Sequence, residues 1–112
     1  MESLDLAKII KDALDDKKGV NIKVIDISEI SILANYFIIA GGTNENQVKA
    51  LADNVEEKMM EQKLTPKHIE GYDNSNWVLM DYGDVVVHIF NESDRLFYDL
   101  ERIWSDAKEV TL

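Results

Sequence analysis

The sequence predicts an α/β fold in which a mixed β-sheet carries flanking helices. Three observations lead there. Helical and strand patterns alternate through the first two thirds of the 112 residues. Tyr36-Phe37-Ile38-Ile39-Ala40 is apolar at successive positions, as a central strand covered on both faces requires. A long hairpin, Trp77 to Phe90, arrives late and adds antiparallel pairing.

The first element is a helix, because Leu6, Ala7, Ile10, Ala13 and Leu14 recur at helical spacing with charges between them. Asp15-Asp16-Lys17-Lys18-Gly19 is polar and ends in the residue that most often follows a helix, so the helix is expected to stop there. Ile22 to Ile27 is β-branched and partly alternating, hence a strand. Ser28 to Asn35 reads as a short connection with room for one helical turn, and Gly41-Gly42 is expected to break the Tyr36–Ala40 strand. Thr43 or Asn44 can cap the following helix, and Asn44 with Gln47 makes a capping-box pattern. Val48, Leu51, Ala52, Val55 and Met59 give that helix its apolar stripe, and Thr65-Pro66 is expected to end it. A short strand over Lys67–Glu70 and a loop over Gly71–Asn76 lead into the hairpin. Asn91 or Ser93 is placed to cap a last helix striped by Leu96, Leu100, Ile103 and Ala107, with Asp106 to Leu112 as a frayed tail.

Size and composition agree with one domain over residues 1–112, having 46% apolar and 30% charged residues. No apolar run approaches the ~20 residues of a membrane span, and the acidic start is unlike a secretory signal. With no cysteine there is neither disulfide nor thiolate chemistry, and the expected compartment is the cytoplasm. The 22 acids against 12 bases give a net charge of −10, and the C-terminal half is the more negative. Binding to DNA or bare RNA draws on clustered Lys and Arg, which this chain lacks, so a basic protein is the better-matched partner.

Several residues invite a chemical reading. Gly41-Gly42-Thr43, between strand and helix, is where a phosphate could meet free N–H groups, yet it lacks the spacing of a dinucleotide or P-loop fingerprint. A tight turn needing positive φ or close backbone approach is the favoured reading. Asp81 and Asp84 bracket the hairpin turn; they could pair on Mg²⁺, but Asp and Gly are also what such turns prefer. His68 and His88 stand at no metal spacing, and His88, on the strand face of Val86 and Phe90, reads as a satisfied sheet histidine. No catalytic, metal or cofactor residues are assigned. Trp77 follows a polar loop and heads an apolar strand, a setting in which Trp serves core or interface. Along its strand Trp77, Leu79 and Asp81 share one face; Val78, Met80 and Tyr82 share the other. Trp77, Met80, Asp81 and Tyr82 are the candidate protein-binding residues, with the outward face left open by alternation alone.

Nearly the whole chain resembles the ribosome silencing factors, or Iojap-like proteins. The resemblance is carried by Asp16-Lys17-Lys18, Tyr36-Phe37-Ile38-Ile39 with the Gly pair, Asn46-Gln47-Val48, Glu70-Gly71-Tyr72, the Trp77–Phe90 hairpin and Arg95–Trp104. It implies a nucleotidyltransferase-like fold and a non-enzymatic role. It further implies binding to the large ribosomal subunit through ribosomal protein fourteen, a block on subunit joining under nutrient limitation, and a homodimer when free. Asn35 stands where the family usually has Asp. The runner-up reading is a metal-dependent nucleotidyltransferase or nucleotide-binding enzyme, against which stands the lack of any Asp-x-Asp.

Overall fold

A computed structural model describes residues 2–32, 34–74, 76–92 and 108–112. Helix α1 (Ser3–Asp16) leads into β1 (Val20–Asp26) and β2 (Tyr36–Gly42); α2 (Glu45–Glu61) follows, then β3 (His68–Glu70), β4 (Trp77–Asp81), β5 (Val85–Asn91) and β6 (Lys108–Val110). The six strands form one mixed sheet in the order β3-β4-β5-β2-β1-β6. Among the described strands only the central pair, β2 with β5, runs parallel; the other four pairings are antiparallel. This is the expected α/β class with a mixed sheet.

Both described helices lie on one face of the sheet. The predicted stripes of α1 and α2 are buried there against Val24, Ile38, Ala40, Val78, Met80, Val85, Val87 and Ile89. The alternate residues point the other way: Ile25, Ile39 and Phe90 form a second cluster with Ile27 and Ala34, joined by Phe37, Trp77 and Val86. Such period-two sorting is what makes β2 apolar throughout, since each of its faces meets a core.

Four boundaries differ from expectation. Gly41 and Gly42 do not break β2; they continue it, opposite Phe90 and Asn91 of β5. The residue in the left-handed region after α1 is Lys18 (φ 60°), not Gly19. Gly19 N–H then bonds Leu14 O and Lys18 N–H bonds Asp15 O, the paired bonds of a Schellman cap. The same cap closes α2 at Glu61, ahead of Pro66, with Lys63 at φ 61° and Leu64 N–H on Met59 O. Leu64 packs on the core that holds Met59, so the apolar contact of that motif substitutes for the proline stop. Residues 108–110 are not a frayed end, because they pair with Val24–Asp26 at the sheet edge. The expected last helix, including Trp104 and Tyr98, lies outside the described residues.

Candidate functional site

The turn that could have cradled a phosphate is occupied from within. Asn44 caps α2, its Oδ1 accepting Gln47 N–H at 2.9 Å. Gln47 Oε1 in return accepts the Thr43 N–H at 2.6 Å and the Thr43 hydroxyl at 2.8 Å. The Gln47 amide N–H₂ reaches across to Lys17 O and Lys18 O at 3.2 and 3.0 Å, so one side chain ties the start of α2 to the end of α1. Gly42 serves close approach: a Cβ there would stand 2.8 Å from Val48 Cγ2 and 2.9 Å from Val48 N. Positive φ occurs instead at Gly71 and Gly83. An open cleft of about 320 Å³ lies elsewhere, between α1 and α2, lined by Ile9, Asp12, Asp16, Lys58 and Glu61 among others.

The paired carboxylates of the hairpin are likewise turn chemistry. Tyr82 N–H bonds Val85 O, leaving a two-residue loop of Gly83 and Asp84 with φ 89° at Gly83, the sign pattern of a type II′ turn. Asp81 Oδ1 accepts Gly83 N–H at 2.7 Å, and its Oδ2 lies 3.8 Å from His68 Nδ1 on the neighbouring strand. The backbone carbonyl of Asp84 accepts from Asn35 and Tyr36, while its side chain is exposed. Asn35 is itself tied to α1, its amide donating to Ser3 Oγ at 3.2 Å. Among the described residues no three His, Cys, Asp or Glu side chains cluster as metal ligands would.

The four candidate contact residues do not share one exposed face. Met80 is 0% exposed, held in the helix-side core, and offers no surface to a partner. Tyr82 leans on that same core. Among the described residues its buried hydroxyl has no hydrogen-bond partner, and desolvation together with the Glu56 carboxylate pushes its pKa up. Trp77 and Asp81 stand on the opposite face, half-buried. This separation follows directly from strand alternation, which had put Met80 and Tyr82 on one side and Trp77 and Asp81 on the other.

Trp77 sits in an aromatic group. Its ring stacks on Phe90 at 5.2 Å between centroids, and its Nε1–H donates to His88 Nδ1 at 3.1 Å. His88 meets Phe37 edge-on at 4.7 Å. The histidine is 4% exposed, and among the described residues its Nε2 has no partner, so within them it is only half satisfied. Burial lowers its pKa to about 4, which keeps the ring neutral at physiological pH.

Two residues have roles that the sequence reading did not assign. Gly71 has φ 79°, and a Cβ there would run into the Trp77 carbonyl, so this glycine lets the loop pass against the start of β4. A lone Gly among turn formers was the available signal. Asn54, buried on the stripe of α2, donates to Ala13 O at 2.7 Å and links the two helices; a polar residue beside an apolar stripe was its only signature.

The family description "Ribosomal silencing factor during starvation" matches residues 1–112. The chain belongs to that family. The ribosomal silencing factor of Halalkalibacterium halodurans is 39% identical over 112 residues, covering 100% of this chain and 96% of the relative. That of Bacillus subtilis is 40% identical over 107 residues, covering 96% and 91%. The chloroplastic Iojap protein of Arabidopsis thaliana is 30% identical across 99% of this chain but only 46% of its own length. A crystal structure of a Chromobacterium violaceum protein superposes with a TM-score of 0.91 at 39% identity, covering 94% of this chain and 88% of that one. As a member of the ribosomal silencing factor family, this chain has the mixed α/β fold expected of it, and its relatives are named as silencing factors rather than as enzymes.

Proposed function

We propose that this chain silences ribosomes by docking on the large subunit through ribosomal protein fourteen, which sterically blocks subunit joining and represses translation under nutrient limitation. Family membership supports the silencing role. The observation that supports the docking surface is Trp77, an aromatic half-buried on the sheet face away from α1 and α2. Trp is the residue that most concentrates binding energy in a protein interface, because it buries much area at little loss of torsional freedom. Asp81 on the same face, within a chain of net charge −10, suits a basic partner and speeds encounter with it. Bare rRNA would repel the same charge.

The reading includes a homodimer when free, residence in the cytoplasm, a nucleotidyltransferase-like ancestry of the fold, and no catalytic, metal or cofactor chemistry. The enzyme alternative would need free N–H groups at Gly41–Thr43, and Gln47 already takes the Thr43 N–H. Calorimetry with Mg²⁺ and each nucleoside triphosphate tests it; micromolar binding would revive it.

The decisive experiment is co-sedimentation with separated subunits at two salt concentrations. The wild-type protein is expected with the large subunit only, less so at high salt. Trp77→Ala is expected to weaken binding by more than ~1 kcal/mol while the protein stays folded. Unchanged sedimentation of that variant rejects Trp77 as the anchor.

A further inference from the structure

We infer that His88 is the positioning residue for Trp77: by accepting the indole N–H it fixes the orientation in which Trp77 meets its partner. The inference rests on the docking reading above and adds which neighbour sets the anchor.

The two residues lie on adjacent strands and on one face. Trp77 pairs with Phe90 and Leu79 with His88, so His88 is the diagonal neighbour of Trp77, within reach of a large side chain. An indole nitrogen can only donate. His88 Nδ1, 3.1 Å away, must therefore carry the lone pair, and the imidazole proton sits on Nε2. Phe37 and Phe90 flank the imidazole, which limits its freedom to turn away.

The chemistry of the pair distinguishes holding from filling. His88 is 4% exposed, yet among the described residues its Nε2–H has no partner. A buried donor left unpaired is unfavourable, and an apolar ring of similar size would fill the same space without it. Stability alone is thus poorly served by a histidine here. What the histidine supplies, and Phe cannot, is an acceptor for Trp77. An anchor already fixed in one rotamer loses less freedom on docking, which favours the complex. Burial also keeps the imidazole neutral, so the acceptor is present throughout the physiological range.

The test uses ¹⁵N-labelled full-length protein and isolated large subunits. The chain has two tryptophans, and Trp77→Phe assigns the Trp77 indole proton resonance. In His88→Phe that proton is expected to shift and to exchange faster with solvent, and binding to large subunits to weaken by roughly two- to tenfold, the worth of one hydrogen bond. His88→Asn, whose amide oxygen can stand near the Nδ1 position, is expected to restore both. His88→Gln, with its oxygen placed farther out, is expected to behave like His88→Phe and serves as the second loss-of-acceptor variant if the first does not fold. An unchanged indole proton or unchanged binding in a folded loss-of-acceptor variant overturns the inference, as does failure of folded His88→Asn to restore them. If Trp77→Ala itself binds like wild type, the docking reading falls instead, whereas loss of binding in Trp77→Ala with none in the folded His88 variants removes His88 alone.

Discussion

At the start of α2 the side chains of Thr43, Asn44 and Gln47 all bond within the chain, whereas at the Trp77–His88 pair a buried ring nitrogen goes without a partner among the described residues. Both regions carry residue types that suggest chemistry. In the first, Gln47 takes up the Thr43 N–H and hydroxyl and ties α1 to α2. The second keeps an unfavourable polar group, and its tryptophan is only half-buried. The difference separates a structural junction from the region in which the proposed docking surface lies.

The comparison can be broken most forcefully by acid. The unfolded chain takes up a proton at His88 near pH 6.5, while the folded chain resists until about pH 4. The unfolded state therefore binds more protons between those values, so stability is full above pH 6.5, declines below it, and is about 3 kcal/mol lower by pH 4. Urea titrations from pH 7 to 4 should show this loss, and His88→Phe should abolish that component. An equally steep decline in the variant would mean that His88 is not the buried titrating group.

Gly42→Ala probes the junction. The added methyl meets Val48 backbone as well as its side chain, so the strand and helix cannot yield cheaply. A loss of about 2 kcal/mol is expected from overpacking, read as a lower urea midpoint at unchanged slope. Gln47→Ala removes four hydrogen bonds from one half-buried side chain and should cost about 1–2 kcal/mol without affecting large-subunit binding. Loss of binding with stability intact would instead move the interface to the junction. The smallest effect is expected for Tyr82→Phe. Its hydroxyl is buried and unpaired among the described residues, so deletion should leave stability unchanged or raise it by up to about 1 kcal/mol, checked by thermal melting. A clear loss of large-subunit binding in that variant would restore Tyr82 to the contact surface.

Much of this architecture was legible. The stripes of α1 and α2, the hairpin and the central strand were written in apolar periods of 3.6 and 2, which depend on local geometry alone. The two faces of β4 could be sorted from alternation for the same reason. Their assignment to helix side and far side could not, since each face holds apolar residues; this is why Met80 was grouped with Trp77 although it belongs to the core. Gly41 and Gly42 looked like a break because glycine is permissive, yet the β5 pairing opposite them carries the strand onward.

The chain by itself determined its class, its family and the hairpin on which the candidate site lies, because periodicity and local turn chemistry need no distant partner. Only the tertiary structure decided that Gln47 reaches the Lys17 and Lys18 carbonyls, that residues 108–110 are a strand, and that His88 accepts from Trp77. Each of those depends on atoms from separate segments meeting in space. Whether a glycine turn is vacant, or a histidine satisfied, is settled by which neighbour's donor or acceptor arrives there, and no spacing along the sequence records that arrival.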